Sequence, residues 1–120
     1  MTAPGTTGRA AVYEAIQILE ESGYYAERVI GIPKLFDIIA WKGGRTICVT
    51  VRSSRRAKIS SFREYVGALS HMIATGAAPG DVQFWMYRSP GWNYWRITPG
   101  GATPIDLEDM VSPSQEVSVA

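Results

Sequence analysis

The chain is poor in the two residues that build most structural metal and disulfide sites. One cysteine, Cys48, in 120 residues cannot close an internal disulfide, and with one histidine, His71, no Cys/His set exists at zinc-ligand spacing. Long apolar runs are missing as well, since a membrane-spanning helix needs roughly 18 such residues in a row. Met1 to Arg9 contains no apolar core of the kind found in a secretory signal. These absences point to a soluble cytoplasmic protein with no membrane partner. Hydrophobic residues make up 46% and charged residues 19%, ordinary globular usage that excludes a fully disordered or collagen-like chain. The length suits one domain able to bury roughly two-thirds of its unfolded surface.

Acids are absent from one stretch and bases from another. Residues 1–98 hold all twelve Lys and Arg against seven acids, a surplus of five positive charges. Residues 99–120 hold Asp106, Glu108, Asp109 and Glu116 and no base. Between Lys42 and Arg63 lie seven bases without an acid. Nine of the twelve bases are arginine, whose planar fork favours bidentate contact with phosphate or carboxylate. Such a run is either a solvated basic face or a surface that meets phosphates.

The apolar spacing predicts a first helix over Gly8 to Ser22, with Val12, Ala15, Ile16 and Leu19 on one face and Gly23 as its stop. Tyr24 to Ile32 reads as a strand. Phe36–Trp41 and Thr46–Arg52 read as a hairpin around Lys42-Gly43-Gly44-Arg45. A central Gly43-Gly44 turn would place Trp41 opposite Thr46, Ile39 opposite Cys48, and Asp37 opposite Thr50. Phe62, Tyr65, Val66, Leu69, Met72 and Ile73 form a second helical stripe, with Ser61 to Glu64 as a capping box. Val82–Arg88 and Trp92–Ile97 read as another hairpin. The expected order is αβββαββ, a central mixed sheet flanked by helices, over residues 1–98. Residues 1–7 are expected to be disordered, and 99–120 to form an acidic Pro/Gly-containing tail with one helical turn near Leu107.

This order, with Gly23-Tyr24, Phe36-Asp37-Ile38-Ile39-Ala40 and Ile47-Cys48-Val49-Thr50-Val51-Arg52, resembles the restriction-endonuclease-like or PD-(D/E)XK superfamily, nearest to small archaeal Holliday-junction resolvases and Mrr-like proteins. The resemblance covers roughly residues 8–97. It implies a helix glutamate, a strand aspartate and a Glu-x-Lys on the next strand, which together hold magnesium and activate a water. Magnesium requires hard oxygen ligands, and lowers the pKa of the attacking water when bound. Position by position, only Asp37 keeps its expected residue. Val12 stands at the helix glutamate position, Thr50 at the second carboxylate and Arg52 at the lysine. Glu14 lies two residues from Val12, on another side of the helix.

Three functions follow. The first is a nuclease-derived DNA-binding protein with an incomplete magnesium site and no cofactor, in which Arg52, Arg55, Arg56, Lys58 and Arg63 meet phosphates of duplex or branched DNA. The second is an active magnesium-dependent endonuclease whose ligands have migrated, using Asp37 with Glu64 and Lys58. The third is a non-catalytic module that binds protein through the aromatic hairpin. In the first, Asp37 and Arg52 are diagonal neighbours across the hairpin, about 7–8 Å apart at the backbone, and are expected to form an ion pair in place of the metal. Trp85, Tyr87, Trp92, Tyr94 and Trp95 crowd the second hairpin, so a homodimer with Trp92 or Trp95 near its contact is expected. Cys48 reads as a small buried hydrophobe and His71 as a surface residue.

Overall fold

The computed structural model describes residues 8–111. Its six strands are β1 (Tyr25–Arg28), β2 (Ile38–Lys42), β3 (Arg45–Ser53), β4 (Asp81–Arg88), β5 (Gly91–Thr98) and β6 (Gly101–Ile105). They lie side by side in sequence order in one sheet. Every neighbouring pair is antiparallel except β3 and β4, which run parallel. A parallel pair needs a crossover. That crossover carries helix α2 (Arg63–Ala74), entered through a 3₁₀ turn at Ile59–Phe62. Helix α1 (Gly8–Glu21) precedes the sheet, and a short helix α3 (Leu107–Val111) follows it. The architecture is the mixed α/β sheet with flanking helices that the sequence suggests.

The sheet separates two apolar layers. On one side Ala11, Val12, Ala15 and Leu19 of α1 pack with Ile38, Ala40, Ile47, Val49, Val51 and Trp85. On the other, Val66 and Leu69 of α2 pack with Cys48, Val82, Phe84, Met86 and Ile97. Side chains alternate across a strand, so Ile47, Val49 and Val51 enter the first layer while Cys48 enters the second. β3 is therefore buried on both faces, which explains why Ile47 to Val51 is apolar but for Thr50. The β2–β3 register is as the turn requires, with Trp41 opposite Thr46 and Ile39 opposite Cys48. Gly43 and Gly44 have φ of 52° and 85°, the paired positive values of a mirror-type hairpin turn.

Several expectations need correction. The first strand is shorter, ending at Arg28, and residues 29–37 form a loop. Residues 101–105, read as tail, form the sixth strand, and the helical turn near Leu107 is α3. Residues 1–7 and 112–120 lie outside the described residues, as does the rest of the tail reading. The capping box at Ser61 is not formed. Ser61 Oγ instead accepts the Lys58 N–H at 3.3 Å, within the 3₁₀ turn that displaces the start of α2 to Arg63. The rings of the aromatic hairpin pack mainly on one another and on the core, with Phe84 and Trp85 buried and Tyr87, Trp92, Tyr94 and Trp95 partly buried. Trp85 is fully buried and meets Tyr94 and Trp92 edge-on, at 4.9 and 5.9 Å between ring centres. Trp92 Nε1 also donates to Glu14 at 3.1 Å, tying the hairpin to α1. Trp95 packs edge-on against fully buried Phe84 on the other face. Trp92 and Trp95 thus have packing partners inside the chain and keep part of their surface accessible. Among the described residues, no helix is long and apolar enough to cross a membrane.

Candidate functional site

The loop between β1 and β2 delivers Asp37 to the end of the sheet. Its stem is closed by the Val29 N–H, which donates to the Asp37 carbonyl at 2.8 Å. Continuing the hairpin register would pair Asp37 with Thr50. The Asp37 N–H donates instead to the Val49 carbonyl at 2.8 Å, one residue short of that register. A slip of one residue exchanges the faces to which side chains point. Asp37 and Thr50 are thereby separated, which corrects the expected side-by-side arrangement.

The Asp37 carboxylate has a full set of partners. Oδ2 accepts the Val51 N–H at 2.8 Å and lies 3.3 Å from Arg52 Nη1. Oδ1 lies 3.4 Å from Lys34 Nζ. Asp37 and Arg52 thus form an ion pair, reached through the slipped strand end rather than across a flat ladder. The Arg52 guanidinium also sits 5.2 Å from the centre of the Tyr65 ring, a cation–π contact that fixes its position. Thr50 turns toward α2. Its hydroxyl and that of Tyr65 both donate to the Leu35 carbonyl.

A cleft of about 400 Å³ opens beside Asp37, and Val12 forms part of its wall. Four cations line it: Arg9 from α1, Arg28 from β1, Lys34 from the loop and Arg52 from β3. Among the described residues lining it, Asp37 is the only acid. Arg9 and Arg28 lie 5.8 and 5.4 Å from the Tyr13 ring centre, so one exposed tyrosine positions both. The hydrogen bond with Arg9 and the charge of Arg28 hold the Tyr13 hydroxyl below the ordinary tyrosine range.

Of the basic segment that stands out in the sequence, Arg52 lines this cleft. Arg55, Arg56, Lys58 and Arg63 are exposed, and none lines it. Arg9, Arg28 and Lys34 escaped notice because they are scattered along the chain. One signal was present: Arg9 precedes Val12 by three residues and so shares its helix face. The migrated ligand set is not assembled either. Glu64 is exposed and borders a separate hollow with Ser60 to Tyr65, where Asp37 has no part. Lys58 is exposed.

The donor set does not suit magnesium. Among the described residues, no group of three or more His, Cys, Asp or Glu side chains is placed to hold a metal ion. Around Asp37 the available oxygens come from one carboxylate, already engaged by two cations and a buried amide, whereas magnesium needs several hard oxygens. Val12 offers the cleft only methyl groups.

Two remaining candidates take quieter places. His71 is exposed on α2. Cys48 is fully buried, and burial, with a smaller contribution from the charge of Asp81, pushes its thiol from 9.0 up to about 11. Between these values the unfolded chain loses the proton and the folded chain keeps it. Folding stability should therefore fall as pH rises from about 9 to about 11, and Cys48→Ala should flatten that dependence in urea titrations at each pH. An unchanged pH profile in Cys48→Ala would show that the thiol does not contribute.

No family model matches the chain, and no curated protein matches it. Among solved structures, it is similar to Hjc, a Holliday junction resolvase of the archaeal hyperthermophile Archaeoglobus fulgidus. The identity is 17%, the TM-score is 0.55, and the match covers 82% of this chain and 83% of that one. At that identity the similarity establishes the fold alone: this chain shares the mixed α/β architecture of that structure.

Proposed function

We propose that this protein binds DNA through its phosphate backbone, on a nuclease-type fold whose metal-binding position is filled by the Asp37–Arg52 ion pair. The observation that carries the reading is the cleft, where Arg9, Arg28, Lys34 and Arg52 surround a single carboxylate. Lys34 and Arg52 already neutralise Asp37, so the cleft keeps a surplus of positive charge and of N–H donors. A phosphodiester is the complementary ligand: it is anionic, and its oxygens accept from arginine in a bidentate manner. The mode proposed is binding that orients the backbone without breaking it, since the one carboxylate among the described lining residues is already engaged by Lys34 and Arg52. Arg55 and Arg56 extend the footprint beyond Ser53, which lines the cleft at the end of β3.

Fluorescence anisotropy against KCl, on a duplex and on a four-way junction, tests the reading. Four phosphate contacts give a log–log slope of about −3.6, and six contacts about −5.4. Arg9→Ala with Arg28→Ala, and separately Arg55→Ala with Arg56→Ala, should each reduce the slope by about 1.8 with little change in stability. Absence of binding, or binding insensitive to salt, overturns it. Cleavage of either DNA with magnesium would favour the migrated-ligand enzyme instead.

One observation favours a second reading, a protein-docking module. Tyr25 and Trp41 stack 5.9 Å apart at the edge of the sheet and are 71% and 40% exposed. A partner there, a second copy included, would form a complex that tolerates high salt, which the same titration distinguishes.

A further inference from the structure

The loop that carries Asp37 has an apolar tip. Ile32 is 95% exposed and Ile30 is 76% exposed, the highest values among the described large hydrophobic side chains. Leu35, nearer the stem, is 48% exposed. Isolated exposed aliphatics are common on protein surfaces, but these are held outward by the polar structure beneath them. The Val29 N–H bonds the Asp37 carbonyl at 2.8 Å, and Lys34 Nζ donates to the Val29 carbonyl at 3.1 Å. On the α2 side, the Leu35 carbonyl accepts from Thr50 and Tyr65. The loop is therefore pinned on both faces of the sheet, and residues 30–33 project between the pins. Gly31, with φ of 112° and open space around it, makes the bend at the tip.

The surroundings of the tip select its occupant. At its base stand Arg28, Lys34 and Arg52, the same cations that line the cleft. An apolar point ringed by positive charge complements a nucleic acid, whose stacked bases are apolar and whose flanking phosphates are anionic. DNA-deforming proteins use this combination, with aliphatic wedges between base steps and basic residues on the adjoining backbone. Asp37 is the one acid among the described residues lining the cleft, so a purely apolar protein partner would leave the net positive charge of these cations unmatched.

Resting on the DNA-binding reading above, we propose that Ile30 and Ile32 form a wedge that enters between adjacent base pairs while Arg28, Lys34 and Arg52 hold the phosphates on either side. Entry requires unstacking, so the wedge favours sites where stacking is already weak, such as a mismatch or a pyrimidine–purine step. The loop then becomes the part of the chain that distinguishes one DNA from another, while the cleft supplies affinity common to all.

The test compares a matched duplex with the same duplex carrying a central mismatch flanked by 2-aminopurine. The wild-type chain should bind the mismatched duplex about tenfold more tightly, because part of the unstacking cost is already met there, and should raise 2-aminopurine emission. Ile30→Ser with Ile32→Ser should keep the melting temperature, the affinity for matched duplex and its salt slope, yet lose both the preference and the rise in emission. Ile32→Leu should retain them. Salt-dependent binding by the wild type with no preference and no change in emission overturns the wedge but leaves the cleft reading standing. Absence of all DNA binding overturns both. A double variant that behaves as the wild type overturns the wedge, as does one whose main effect is loss of self-association in light scattering or of binding to anionic vesicles, since either result assigns the tip to another surface.

Discussion

Asp37→Ala should lower the unfolding free energy by about 2–3 kcal/mol and leave DNA affinity equal or higher. The carboxylate accepts a hydrogen bond from the buried Val51 N–H at 2.8 Å. Truncation leaves that N–H without a partner in a site only 9% exposed, a desolvation penalty of about 1–3 kcal/mol. The pair with Arg52 contributes less. The Arg52 side chain is 38% exposed, so solvent screens the pair and it adds roughly 0–1 kcal/mol. At about 4 °C per kcal/mol for a domain of this size, the melting temperature should fall by about 10 °C. Asp37→Asn keeps an acceptor for Val51 and should recover part of the loss. Magnesium should restore neither variant, and the anisotropy titration should show no weakening, because removing the acid releases Lys34 and Arg52 toward phosphate. An enzyme that used Asp37 as a metal ligand would behave in the opposite way, keeping its fold and losing activity. A melting temperature unchanged by Asp37→Ala would contradict the structural role assigned to this carboxylate.

The contrast between Asp37 and its neighbours shows where the sequence is legible and where it stops. The β2–β3 register follows from local facts, two glycines able to take positive φ between two apolar strands, and it is correct from Trp41 to Ile38. It fails one step further on because Asp37 is itself a hydrogen-bonding side chain. Its carboxylate captures the Val51 N–H, a short polar side chain competing with the ladder for backbone groups. Apolar spacing carries no record of that competition. The sixth strand escaped for a different reason. Gly100, Gly101 and Pro104 fall in the stretch that reads as a Pro/Gly-containing tail, yet β6 pairs with β5 at the edge of the sheet, and an edge strand tolerates a proline that an inner strand would not. Helices α1 and α2 are visible as stripes because each buries one face against the sheet. The cleft is not, since it draws Arg9, Arg28, Lys34 and Arg52 from four separate elements, whereas charge density along the chain directs attention to residues 42–63. Proximity in sequence and proximity in space diverge most for long polar side chains, which no periodicity constrains.

Two arginines counted in the positive surplus of residues 1–98, Arg45 and Arg96, are partly buried in an ion-pair network, and from them comes the substitution with the largest expected effect. Asp81, at the start of β4, holds Arg45 from β3 and Arg96 from β5. Arg45 Nη2 lies 2.6 Å from Oδ2, while Arg96 bridges the carboxylate with Nε 3.0 Å from Oδ1 and Nη2 3.1 Å from Oδ2. The three side chains are only 17–21% exposed. Gln83, fully buried, donates to the same carboxylate at 3.0 Å and accepts from Trp85 Nε1 at 2.9 Å, so the network runs from the sheet end into the core. Arg45 also donates to the Tyr24 hydroxyl at 2.6 Å, and Arg96 to the Asp109 carbonyl at 2.9 Å, which anchors α3. Asp81→Ala removes the anion and leaves two largely buried cations facing each other. Breaking a buried ion pair by removing one partner costs about 3–5 kcal/mol, more than the attraction alone, because the remaining charge stays desolvated. The melting temperature should fall by about 12–20 °C on the same conversion, and amides of α3 should exchange faster. Asp81→Asn, which keeps an acceptor without the charge, should fall between. The decisive measurement is a double-mutant cycle with Arg45→Met. If desolvated charge dominates, Arg45→Met should be much less harmful in the Asp81→Ala background than in the wild type, with a coupling of at least about 1 kcal/mol. Additive effects would mean that Asp81 acts by hydrogen bonding alone. DNA affinity should stay unchanged wherever the variants remain folded, because neither Asp81 nor its partners line the cleft.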